Sequence, residues 1–282
     1  MNGADQADGL RRLLSTGNSR VIAVAGLSRG VGTTTAAMNL SVELARQGKQ
    51  VLLLDEHGRT SRSACAGWAV DPRGTLADVA CGDLDVASAA TTIGCGVRVL
   101  PAPPGLSSGS FNPRTLCPGG RIVVDVALGA AGQLSPLARL ADELVIVMRP
   151  VASSITATYA GLKRLQYTHV LQNFRFLVND VDSAAQAQRV IANVTNASSR
   201  YLAVTLRPVG WISADVFVAQ AQRTNQTECE AYPASAAGMD FRRAATAIMQ
   251  EEAASARDAA APAASGSAQR NGTERSRAVT AM

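Results

Sequence analysis

An α/β fold with a mainly parallel central sheet, built as a three-layer sandwich around a phosphate-binding loop, is predicted by three observations. Short apolar runs recur between helical stretches along the chain. Such continuous runs are typical of parallel strands buried on both faces. Each run ends in a small, acidic or polar residue, as strands do where a parallel sheet presents its ligand site. The first run passes through glycines and threonines straight into a helix, in "AVAGLSRGVGTTTAAMNL", residues 23–40.

The elements follow in order. "RVIAVAG" (20–26) is β-rich and stops at a glycine. Residues 34–47 place Ala37, Leu40, Leu44 and Ala45 on one helical face. "QVLLLD" (50–55), "GVRVLPA" (96–102) and "RIVVDVA" (121–127) are the next strands. "ELVIVMRP" (143–150), "FRFLVND" (174–180) and "RPVGWIS" (207–213) complete the set. "GMDFRRAATAIMQEEA" (238–253) gathers Met239, Phe241, Ala245 and Ile248 loosely on one side and is expected to be the last core helix. The domain reading is an arm over 1–19, a core over 20–250, and an Ala/Ser-rich tail over 251–282 whose composition predicts disorder.

Composition narrows the function classes. The five cysteines contain no C-x-x-C pair and are odd in number, so neither a zinc or iron–sulfur site nor a disulfide framework is expected. No apolar run reaches the roughly 18 residues of a membrane helix. The polar, acid-bearing start "MNGADQADGLRR" is unlike a signal peptide, and a cytoplasmic protein is expected. A net charge of +5 permits weak attraction to nucleic acid or anionic lipid, but no block of like charge supports either. Lysine occurs only at Lys49 and Lys163, while arginine is frequent.

The loop carries the chemistry. A glycine-rich turn into a helix N-terminus aims several backbone N–H groups at one point, where the helix dipole adds positive potential. Gly30, Val31, Gly32, Thr33, Thr34 and Thr35 can form that cradle. A hydroxyl in the first helical turn can ligate Mg²⁺, and Thr34 has that place. The lysine that normally precedes the hydroxyl pair is replaced by Thr33.

On these residues the stretch resembles the deviant Walker loop of the MinD/ParA class of P-loop ATPases, K-G-G-x-G-K-[ST]-[ST]. Ser28 then stands for the first lysine, Arg29 for the first glycine and Thr33 for the second lysine. In that class the first lysine reaches the partner's phosphates across an ATP-sandwich dimer, and the second holds the β- and γ-phosphates in its own subunit. The resemblance implies ATP and Mg²⁺ as cofactors, weakened here, and a homodimer. "LLLDEHG" resembles the strand ending in D-A-D, with Asp55 kept and His57 in place of the acid that orients the attacking water. "VVDVALG" resembles the Walker B and switch segment, with Asp125 as the Mg²⁺-side carboxylate. "LVNDV" resembles the strand whose asparagine contacts adenine, which assigns Asn179. The implied Mg²⁺ set is Thr34, Asp55 and Asp125, and no catalytic residue is assigned. Weak or lost ATP hydrolysis, a pseudo-ATPase, is expected.

The arm narrows the class. "DQADGLRRLL" (5–14) resembles the D-Q-A-x-x-L-R motif of FlhG-type regulators of flagellar number, in which it stimulates the FlhF-type GTPase. Asp5, Gln6, Ala7, Leu10 and Arg11 match the motif. Ala7, Leu10, Leu13 and Leu14 would form one apolar stripe suited to a groove. The implied partners are the FlhF-type GTPase and flagellar basal-body or regulatory proteins, with recruitment to the cell pole or membrane through them. The terminal membrane-targeting helix common in that family is not evident, and nucleic acid is not expected as a partner. Two alternatives stay open: an active MinD-like ATPase, and a ParA-type partition protein that coats DNA.

Overall fold

The computed structural model describes residues 19–58, 60–105, 111–202 and 204–260. The arm residues Asp5, Gln6, Ala7, Leu10 and Arg11 lie outside this set, as do residues 261–282. One compact unit ends at Ile248, and a second begins at Met249.

Eight strands form one sheet: β1 (Arg20–Gly26), β2 (Val51–Asp55), β3 (Thr91–Thr92), β4 (Arg98–Pro101), β5 (Arg121–Asp125), β6 (Glu143–Met148), β7 (Asn173–Val181) and β8 (Thr205–Ser213). The helices are α1 (Thr33–Arg46), α2 (Ala64–Gly67), α3 (Leu76–Cys81), α4 (Val86–Ala89), α5 (Ala152–His169), α6 (Ala184–Tyr201), α7 (Val216–Arg223), α8 (Glu228–Ala231) and α9 (Ala236–Ala260). The strand order is β3-β4-β2-β5-β1-β6-β7-β8. Every pairing is parallel except β3 with β4.

The pleat explains the layers. Val21, Ala23, Ala25, Leu52, Leu54 and Ile146 point to one face, where they share a core with Leu162 and Leu165 of α5 and Val190 and Val194 of α6. The alternate residues Ile22, Val24, Leu53 and Val123 are equally buried. α1 packs on β1, β2 and β5. α9 lies beside α1, with Thr246 accepting from Gln47 at 3.2 Å. β1 lies between β5 and β6, so the loop that follows it opens at the centre of the sheet, where the strand order reverses.

Two departures from expectation have local causes. β3 is two residues long and antiparallel, too short for any periodicity to reveal. α9 runs to Ala260, seven residues past the helical stretch expected over 238–253, because "EEAASARDAA" is rich in strong helix formers. β8 is the outermost strand. It contains Pro208, and its register with β7 shifts between Phe176 and Leu177.

Candidate functional site

The site starts from the loop backbone. Gly32 caps α1 in the left-handed region with φ 88°, and Gly30 has φ 72°. A side chain at Gly32 would be strained there and would also collide, its Cβ falling 2.3 Å from Nδ2 of Asn179. That amide donates to the carbonyl of Val31 at 2.9 Å. Asn179, assigned from sequence to the base, thus holds the loop in this structure. The next residue, Asp180, has φ 63° and pairs with Arg149.

The hydroxyls that replace or follow the lysines are engaged locally. Thr33 folds back over Gly26, whose absent Cβ would lie 2.2 Å from Thr33 Oγ1. The Ser28 and Ser154 hydroxyls are 3.3 Å apart, which ties the loop to the first turn of α5. Thr34 donates to the carbonyl of Arg62 at 3.1 Å. Thr35 accepts from Gln222 of α7 at 3.2 Å.

The acids lie beside the loop. β2 and β5 pair so that Asp55 stands opposite Asp125. Asp55 is wholly buried and accepts from the N–H groups of His57 and Cys65, both at 3.0 Å. Its oxygens therefore organise the turn after β2, which leaves Asp125 as the acid better placed to serve Mg²⁺. Asp125 is also wholly buried, and neither of its oxygens has a hydrogen-bond partner. His57 Nε2 approaches to 3.7 Å. Burial pushes the Asp125 carboxyl up to about 8; the nearby Thr34 hydroxyl opposes the rise, and Asp55 and Glu56 add to it. Burial lowers the His57 pKa, partly offset by Asp55, and the Arg62 charge lowers it further.

Glu56 escaped the sequence reading. It is 3% exposed and accepts from Ala127 N–H at 3.0 Å and from the Ser135 hydroxyl. Burial raises its pKa to about 7 against those two hydrogen bonds. It thereby bolts the end of β2 to the segment after β5. No local pattern announces this, since Ser135 is 79 residues away.

The loop, the turn after β2, the segment after β5 and the start of α7 line one cleft of about 940 Å³. The glycine-shaped cradle and the orphaned Asp125 carboxylate fit a phosphate chain with a hydrated cation. Among the described residues no cluster of three or more His, Cys, Asp or Glu side chains could hold a metal alone. No helix among them is long and apolar enough to cross a membrane.

Residues 19–109 match a family model described as an AAA domain. The chain is 32% identical over 246 residues to the antiactivator FleN of Pseudomonas aeruginosa, covering 81% of this chain and 86% of FleN. It is 38% identical over 96 residues to the chromosome partitioning protein ParA of Caulobacter vibrioides, 33% of this chain and 36% of ParA. The MinD cell division protein of Aquifex aeolicus superposes with a TM-score of 0.62 at 19% identity, covering 82% of this chain and 97% of MinD. MinD of Pyrococcus horikoshii complexed with Mg-ADP gives 0.61 at 19% identity, covering 83% and 97%. These structures share the fold.

Proposed function

The chain belongs to the FlhG/FleN family of MinD/ParA-type P-loop proteins, and on that premise we propose that it regulates flagellar number or placement through partner proteins, with a weakened response to ATP. The observation that carries this reading is the extended similarity to an antiactivator, which spans the core and not the loop alone. Similarity to ParA covers only a third of the chain, so the DNA-coating alternative has narrower support.

The weakened ATP response follows from the side chains. The cradle of Gly30, Val31, Gly32, Thr33, Thr34 and Thr35 keeps its backbone N–H groups, and Asp125 keeps its carboxylate. ATP with Mg²⁺, when bound, would supply the phosphoanhydride and its counter-charge, and the loop amides and the Asp125 carboxyl would hold it. Ser28 and Thr33 bring no cation to it. A charge-assisted contact contributes roughly 1.5–3 kcal/mol, so each absent lysine weakens phosphate binding by about tenfold or more. His57 brings no carboxylate to orient water, so turnover falls further than binding.

The arm is the output. Asp5, Gln6, Ala7, Leu10 and Arg11 are assigned to an FlhF-type GTPase, with Gln6 as the stimulating residue. Recruitment to the pole or membrane would run through such partners. The test is a peptide of residues 5–14 added to that GTPase. Stimulation is expected, with its loss on Gln6→Ala in both peptide and full-length protein at an unchanged melting temperature. An inert peptide, together with full stimulation by the Gln6→Ala protein, would remove the arm from the reading.

A further inference from the structure

Two arginines outside the loop line the same cleft, one on the turn after β2 and one on the helix after β6, strands that lie on either side of β1 in the sheet. Arg62 lies in the turn between β2 and α2. Its carbonyl accepts from Thr34, which pins its backbone to the first turn of α1. Its side chain is exposed, and its charge is felt at His57, beside the buried acids. Arg164 comes from α5. One turn earlier, Gly161 lets α5 close on the loop, since a Cβ there would fall 2.9 Å from Leu27. The Arg164 guanidinium lies on the backbone of Gly132, where a Cβ would be 3.2 Å from Cζ. Gly132 has φ 76° and belongs to the segment after β5. His169 holds the same segment to α5 by accepting from Leu134 N–H at 3.2 Å. Among the described residues neither guanidinium has a carboxylate partner.

These are forked, permanently charged donors, and the walls they stand on are fixed to the loop by hydrogen bonds and packing. A phosphate chain lying along the cradle would share the cleft that both arginines line. Guanidinium suits such an anion because it offers two parallel N–H donors and is less strongly hydrated than ammonium. We propose that Arg62 and Arg164 form a two-sided clamp on the phosphate chain of a nucleoside di- or triphosphate, in place of the loop lysines. The clamp rests on the reading of this cleft as a nucleotide site. It does not depend on the arm.

The experiment is calorimetric titration of the full chain with ATP and Mg²⁺, and separately with inorganic tripolyphosphate. The variants are Arg62→Ala, Arg164→Ala, the double variant, Arg29→Ala on the loop, and Arg189→Ala on α6 as a control away from the cleft. Each clamp variant is expected to weaken both probes about tenfold or more. The double variant should lose tripolyphosphate binding, and Arg189→Ala should match wild type. Unliganded melting temperatures should stay together, because both clamp side chains are exposed. The clamp is overturned if the double variant binds like wild type, if Arg29→Ala alone abolishes binding while the double variant retains it, or if wild type binds neither probe. In any of these cases a peptide of residues 5–14 that still stimulates the GTPase leaves the regulatory reading standing. An inert peptide beside an intact clamp does the reverse.

Discussion

The loop at 28–35 lines the cleft, and the carboxyl ends of β2 and β5 lie just behind its wall, yet they are built on opposite terms. The loop works by backbone shape: Gly30 and Gly32 adopt conformations that favour glycine, Val31 between them is buried, and the side chains of Ser28, Arg29, Thr33, Thr34 and Thr35 are part-exposed or exposed. The strand ends work by buried carboxyl groups, with Asp55 and Asp125 at 0% exposure and Glu56 at 3%. Where shape is the function, a side chain such as Ser28 or Thr33 can lose its charge and still find a hydroxyl partner or a place to pack. Where carboxyl groups are buried, most are wired in, as Asp55 and Glu56 are to four donors between them. Asp125 is the exception. Its oxygens accept no hydrogen bond, although His57 stands 3.7 Å away, and its ionised form is costly in the fold unless a cation serves it.

The largest effect should come from challenging the shape. Gly32→Ala forces a side chain into the left-handed region and onto Asn179, and is expected to cost about 2 kcal/mol or more. The double change with Asn179→Ala should recover part of the loss, as read by denaturant melts. Full recovery would mean that the collision, and not the backbone, dominates.

The second test challenges the charge. In the unliganded protein Asp125 holds its proton up to about pH 8, whereas the unfolded chain releases it in the ordinary carboxylate range. The folded state binds more protons between those values, so this group's contribution to stability falls as pH rises through the window. Asp125→Asn should therefore gain on wild type by several degrees in melting temperature between pH 5 and pH 8. A difference independent of pH would show that Asp125 is not the titrating group.

A third, intermediate effect restores what the loop lacks. Thr33→Lys should tighten ATP binding about tenfold or more, with a smaller gain in turnover because His57 remains. The smallest effect is Ser28→Ala, which removes one hydroxyl contact to Ser154 and should cost about 1 kcal/mol or less.

The sheet was legible because its strands are continuous apolar runs: β2, β5 and most of β6 are buried at every position. The loop was legible because its glycines and threonines are adjacent in sequence. The pairing of Asp55 with Asp125 follows from strand order, which the periodicity of single strands does not contain. Glu56 was hidden because its partners come from the segment after β5. Asn179 was assigned to the base through resemblance, but its bond to Val31 spans 148 residues, beyond the reach of any local pattern. Arg62 and Arg164 have no motif of their own. They matter only because α5 and the turn after β2 fold against the loop.

The outer strand β8 has a consequence for how copies of this chain can meet. An exposed sheet edge is a template on which a second molecule can add its own strand, and repetition of that step builds fibrils. Pro208 withdraws a donor from β8, and the shifted register beside it breaks the even spacing that strand addition requires. At the far side the sheet ends in a strand of two residues. Both margins are thus poor seeds for runaway polymerisation, which leaves helix and loop surfaces as the places where specific, self-limiting contacts can evolve.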